Sequence, residues 1–309
     1  MTNAASVKDR LKNRSIKTGK TMQELLTAYG LERTLHRLSV SKYKENFTLK
    51  GGIFLYAIFQ GDYARATTDI DFLAQRISNE EDDIRAVFSE IFAMEIDDPL
   101  RYDMDSLVVS SIAAFKKYHG VRVEVMAYLD RTRIPISIDI GFDDVIYPKR
   151  VEMDYPSILD DDGPGVFAYS ICSVIAEKFE AIVSLAYDNS RFKDFYDIFV
   201  ISKTLDVNGA DLIEAVRETF EHRKTTLAEV VAFEPEFATD RLRQSRWNYF
   251  TKKKRAMLSV SLEDVIDTIK RFMGPVVESI TMSRAMDAIW DHEELLWLPG
   301  SGSCQNVVL

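Results

Sequence analysis

The chain has 309 residues, of which 39 are Lys or Arg and 49 Asp or Glu; the net charge is −10, with 46% hydrophobic and 28% charged residues. That is a globular mixture long enough for roughly two domains, and it excludes both a disordered chain and a surface uniformly coated for nucleic acid. No apolar run approaches the roughly 18–20 residues that span a bilayer, and the polar, basic start lacks a secretory core. Cys172 and Cys304 make neither a disulfide framework nor a metal-ligand spacing. A cytoplasmic protein without membrane association is predicted.

In chain order, TMQELLTAYGLERTLHRL (21–38) has helical apolar spacing, and FTLKGG (47–52) is a short apolar entry into a glycine turn. IFLYAIF (53–59) suits a buried helix, TDIDFLA (68–74) alternates as a strand, and EEDDIRAVFSEIFAM (80–94) carries one apolar stripe. SLVVSSIAAF (106–115), VRVEVMAYL (121–129) and IPISIDIGF (134–142) read as strands, the last two joined by DRTR. Residues 151–166, with two prolines, two glycines and five acids, read as a linker or exposed arm. Helical patterns then cover 170–187, 193–205, 211–223, 261–273 and 283–297. The predicted class is α+β: a mixed sheet with helices over 1–165, a helical domain over 166–298 and a tail at 299–309.

Charge is unevenly spread. Six basic residues face Asp9 alone in residues 1–20, and RLRQSRWNYFTKKKR (241–255) holds seven basic residues and no acid. Arg241, Arg243, Arg246, Lys252, Lys253, Lys254 and Arg255, interleaved with Trp247, Tyr249 and Phe250, suit RNA contact through phosphates and stacking. A solvated helix whose aromatics pack inward reads equally well.

The first chemical feature is Asp69 and Asp71. Two apart on a strand, they share a face and repel each other unless a cation or proton intervenes. In IPISIDIGF the four isoleucines take one face, leaving Asp139 on the other. If that strand lies beside the first, three carboxylates converge, a ligand set suited to Mg²⁺ or Mn²⁺ and phosphoryl transfer. Upstream, Lys50-Gly51-Gly52 precedes a helical run, where backbone amides attract phosphate. His36, His119, His222 and His292 have no metal spacing.

KGGIFLYAIFQGDYARATTDIDF (50–72) resembles the opening motif of the AbiEii/AbiGii nucleotidyltransferase toxin family: a lysine and two glycines, a spacer, Arg, Thr or Ser, then D-x-D-F. Gly51-Gly52 replaces the superfamily's glycine-serine, so backbone amides must serve where a serine hydroxyl would. AEKFEAIVSLAYDNSRFKDFYDIF (176–199) resembles the family's later A-E-K and R-x-K-D-x-x-D motifs, and FEHRKT (220–225) its later half. The resemblance spans about residues 20–250.

It implies a polymerase-beta-like nucleotidyltransferase fold, with Asp69, Asp71 and Asp139 as metal ligands and catalytic residues alongside Lys178 and Asp194. Lys50, Gly51, Gly52, Thr68, Lys178, Arg191, Lys193 and Asp197 would bind the nucleotide. Bottom-up alternatives stand beside these roles: Arg191 and Lys193 pair with neighbouring acids, Asp194 caps its helix, and Asp197 orients Lys178 or Arg191. The implied activity is transfer of NMP from an NTP to an RNA acceptor, with tRNA 3′ ends leading and a cognate antitoxin as partner. A non-catalytic nucleotide-binding module, or transfer to protein or a small molecule, remains the alternative.

Overall fold

A computed structural model describes residues 3–63, 67–112, 120–159, 162–227, 229–253 and 260–300. The chain forms two compact units, one of Met1–Asp144 and Val151–Tyr169, the other of Val145–Arg150 and Ser170–Leu309. No helix among the described residues is long and apolar enough to cross a membrane.

The first unit opens with the helices α1 (Ala4–Thr18) and α2 (Met22–Val40), so the basic N-terminal segment is helical. α2 starts where Thr21 and Glu24 cap one another's backbone N–H groups, which satisfies donors the helix cannot pair. Strand β1 (Phe47–Lys50) runs straight into α3 (Gly51–Ile58), followed by β2 (Ile70–Ala74) and α4 (Glu81–Phe92). The strands β3 (Leu100–Ile112), β4 (Gly120–Leu129) and β5 (Thr132–Gly141) follow. With β6 (Val151–Asp154) and β7 (Gly165–Ala168) they make one seven-stranded mixed sheet, ordered β3-β4-β5-β2-β1-β7-β6.

The isoleucine face of β5 is buried, Ile134, Ile136, Ile138 and Ile140 each being at most 1% exposed. Each such side chain contributes about 1.5–3 kcal/mol. α2 lies close enough to this face that a Cβ on Gly30 would come within 2.7 Å of Ile134, so only glycine fits there. On the same face, Phe47, Phe72, Phe88, Phe92 and Tyr102 form a chain of ring contacts that holds α4 to the strands.

The predicted linker at 151–166 is a correction. β6 and β7 are paired strands of the main sheet, and β7 runs parallel to β1. One of the acids that suggested an exposed arm, Glu152, meets Lys44 at 2.7 Å, and Tyr155 and Ile158 are buried. Prolines and glycines punctuate two very short strands near a sheet edge, which is where sheets tolerate them.

The second unit packs α5 (Ile171–Leu185), α6 (Phe192–Ser202), α7 (Gly209–Arg223), α8 (Pro235–Thr239), α9 (Arg241–Lys253) and α10 (Leu262–Thr281). It also holds a small sheet, β10-β9-β8, from β8 (Val207–Asn208), β9 (Ala288–Asp291) and β10 (Leu296–Pro299). The helix predicted over 283–297 is therefore a hairpin. Asp291 accepts the N–H groups of Glu293 and Glu294, both at 2.9 Å, and so ends β9 in a turn. Trp290 is fully buried and donates to the Ser202 carbonyl, while Trp297 stacks on Phe272. The seven-residue interval between Trp290 and Trp297 imitates two helical turns, yet each ring belongs to a different strand.

Candidate active site

β2 and β5 are parallel neighbours, and their register places Asp71 directly beside Asp139. Asp69 stands one residue before β2, and one carboxylate oxygen from each of Asp69, Asp71 and Asp139 lies within 4.8 Å of the others. All three are partly exposed, and they are the only such His/Cys/Asp/Glu cluster among the described residues. The juxtaposition expected from strand alternation is present. The donor set, three hard carboxylates and no sulfur or imidazole, fits Mg²⁺ or Mn²⁺.

The glycine turn is built around this cluster. Lys50 is the register partner of Asp71 across β1 and β2, and the chain leaves β1 into α3 through Gly51. Gly51 has φ +67°, and a Cβ there would fall 2.0 Å from Asp71 Oδ2. Left-handed backbone and close approach both demand glycine. Gly51 thus makes room for a carboxylate and brings the positive end of α3 to it. Gly52, in the first turn of α3, is buried.

Lys50 is not an isolated phosphate-binding charge. Its Nζ meets Asp144 Oδ2 at 2.6 Å and lies 5.4 Å from the Tyr169 ring centroid. The hydroxyl of exposed Thr68 reaches Asp69 Oδ1 at 3.5 Å, the outer limit of a hydrogen bond.

Sequence reasoning missed Arg122. It lies opposite Asp139 in the β4–β5 pairing, donating from Nε to Oδ1 and from Nη2 to Oδ2, each at 2.7 Å. The carboxylate beside it raises the Arg122 pKa above the ordinary arginine value. A turn placed at Asp130–Arg131 pairs Leu129 with Thr132 and, counted along the hairpin, sets Arg122 against Asp139. That signal lay in the sequence.

In the second unit, α5 and α6 bring the later motifs together. Lys178 Nζ lies 2.6 Å from Asp197 Oδ2 and 3.4 Å from Asp194 Oδ1, and Arg191 Nε donates to Asp194 Oδ2 at 2.6 Å. Asp194 and Asp197 are fully buried and Lys178 is only 8% exposed. Such charges persist inside a protein because each is paired. Asp194 is in the first turn of α6 but does not cap it; its oxygens go to Lys178 and Arg191. Lys193 points to solvent. The FEHRKT segment is structural support: Arg223 and Thr225 hold buried Glu180 at 2.9 and 2.6 Å, and Arg223 also meets Glu177 at 3.4 Å.

The basic segment divides. Trp247 is buried, with its Nε1 on the Val260 carbonyl, and Phe250 packs against it. Arg243 lies 3.9 Å from the Phe237 ring centroid and donates to the Phe237 and Tyr187 carbonyls, so it packs α9 in place. Arg241, Arg246 and Lys252 are exposed, as is Tyr249 at 66%. The Lys253 side chain, Lys254 and Arg255 lie outside the described residues, as do His119 and Cys304. Burial pushes the Cys172 thiol up to about 12, which leaves it unsuited to thiolate chemistry near neutral pH.

The sequence profile of the family "Nucleotidyl transferase AbiEii toxin, Type IV TA system" matches residues 33–273. No curated protein matches the chain. Among solved structures, MenT4, a nucleotidyltransferase toxin from Mycobacterium tuberculosis H37Rv, has TM-score 0.49 and 14% identity, over 90% of this chain and 99% of that one. JHP933 from Helicobacter pylori has TM-score 0.47 and 12% identity, over 85% and 95% of the two chains.

Proposed function

The chain belongs to the AbiEii nucleotidyltransferase toxin family, and on that premise we propose that it transfers a nucleoside monophosphate from an NTP to an RNA acceptor with a divalent metal. The observation that carries the metal reading is the convergence of Asp71 and Asp139, on adjacent parallel strands, with Asp69 just before β2. These three would hold Mg²⁺ or Mn²⁺, which supplies charge neutralisation at the transferring phosphate and a more acidic acceptor hydroxyl.

The chain's own groups do the rest. The acceptor oxygen attacks the α-phosphorus, its proton passes to a carboxylate of the cluster or to solvent, and the bond to the β-phosphate oxygen breaks to release pyrophosphate. Asp139 is the proposed acceptor of that proton. The α3 amides and Lys50 present positive potential beside the cluster, and Thr68 offers a hydroxyl. In the second unit, Lys178, Arg191 and Lys193 are proposed to bind nucleotide phosphates, with Asp194 and Asp197 fixing the first two. Phosphoryl transfer rewards such positioning and charge placement above covalent chemistry.

For the acceptor, the exposed basic face of α9 and the basic α1 supply phosphate contacts, and exposed Tyr249 supplies a ring for a base to stack on. tRNA 3′ ends lead among acceptors by the family resemblance, and an antitoxin is the proposed partner. The test is incubation of the full chain with each labelled NTP, Mg²⁺ and total tRNA. Label should enter RNA with the wild type and not with Asp69→Ala. NTP binding without incorporation into RNA, protein or small molecules would favour a regulatory module; label in protein alone would move the acceptor to protein.

A further inference from the structure

The carboxylate cluster has a fourth member in Arg122. Its guanidinium takes both oxygens of Asp139 in a side-on fork, at 2.7 Å each, while remaining 44% exposed itself. We propose that Arg122 is a counter-charge clasp on these carboxylates, lowering their affinity for a bare divalent cation so that the ion is taken up together with nucleotide phosphates. This rests on the metal reading above.

The geometry supports the clasp in two ways. Each carboxylate oxygen has two lone pairs, and the fork uses one on each. Asp139 then keeps lone pairs for single-point ligation but loses the two-oxygen grip on an ion that a relaxed carboxylate offers. Secondly, an ion on the same carboxylate would sit on the order of 5 Å from the guanidinium. Even at a water-like dielectric, repulsion between a unit and a double charge at that range weakens binding roughly tenfold. Phosphates arriving with the ion offset that repulsion, and the exposed guanidinium is placed to donate to them. An ordinary cross-strand ion pair that nucleotide does not engage would weaken metal binding equally with and without nucleotide.

The experiment titrates the full chain with Mn²⁺ alone, reading free Mn²⁺ by electron paramagnetic resonance, for wild type, R122Q, R122K, D139N and D71N. The clasp predicts that R122Q binds Mn²⁺ at least about fivefold more tightly than wild type. R122K, which keeps the charge, should stay within about twofold, and D139N and D71N should bind more weakly. With a nonhydrolysable nucleoside triphosphate present, the gap between wild type and R122Q should narrow. R122Q equal to or weaker than wild type overturns the clasp, as does a gap that nucleotide leaves unchanged. Because Arg122 is half exposed on a surface strand face, R122Q should melt close to wild type, and R122K provides a second folded variant. Mn²⁺ binding indifferent to D71N would instead sink the metal site itself, and the clasp with it.

Discussion

At the scale of single residues, Gly51 and Lys178 show how the site constrains the chain. Gly51→Ala would place a methyl 2.0 Å from Asp71 Oδ2 at a left-handed φ. The backbone strain alone costs about 1–3 kcal/mol, and Asp71 must move as well. We expect a lowered melting temperature together with a loss of transfer larger than the stability change explains; wild-type activity in a folded Gly51→Ala protein would contradict the cradle. Lys178 sits between two buried carboxylates. Lys178→Ala removes a partner from each, although Asp194 keeps Arg191, and breaking a buried ion pair costs about 3–5 kcal/mol. Calorimetry on Lys178→Ala should show that loss, so its activity is interpretable only beside its melting curve. The same pairing argument applies in the first unit to Arg37 and Asp98, a buried ion pair at 2.8 Å.

At the scale of elements, the small sheet of the second unit has a pH-sensitive anchor. His292 Nδ1 lies 2.7 Å from Asp206 Oδ1. The hydrogen bond to Asp206 raises the His292 pKa, and the bond from His292 lowers that of Asp206. The histidine's contribution is therefore complete below its ordinary value near 6.5 and is lost as pH rises through its raised folded value. The aspartate's contribution is present above about 3.8 and is lost as pH falls through its lowered value. Between those limits the anchor is strongest. Thermal melts should show a larger gap between wild type and Asp206→Asn at pH 5.5 than at pH 8.5; the opposite trend would contradict the pairing. Both groups are well exposed, so the gap should be small.

This hairpin also marks where sequence reading stopped. Period-2 alternation with a clean apolar face made β5 and its carboxylate face legible, because four isoleucines allow only one orientation. The convergence with β2 was legible only as a condition, since which strands become neighbours depends on long-range pairing. β6, β7, β9 and β10 were misread because four-residue strands carry too few alternations to outvote nearby prolines, acids or a chance seven-residue interval. Arg122 was missed for want of one residue of turn placement. Asp144 was missed because a loop acid has no periodicity to assign its partner.

At the scale of the whole molecule, the net charge of −10 conceals local opposites. Five acids belong to the two clusters of Asp69, Asp71 and Asp139 and of Asp194 and Asp197, while α9 exposes Arg241, Arg246 and Lys252. Reversing these three charges touches no buried group and should leave melting within about 0.5 kcal/mol of wild type. RNA binding should weaken and its salt slope fall by about two to three units. An unchanged slope would remove α9 from the RNA surface. The central claim is that the carboxylates of Asp69, Asp71 and Asp139 hold the metal for nucleotide transfer. Its most direct test measures NMP incorporation by Asp71→Asn with Mg²⁺ and NTP, alongside the melting temperature of the same preparation. Asp71→Asn should melt near the wild type and incorporate no nucleotide; incorporation at the wild-type level would contradict the metal assignment.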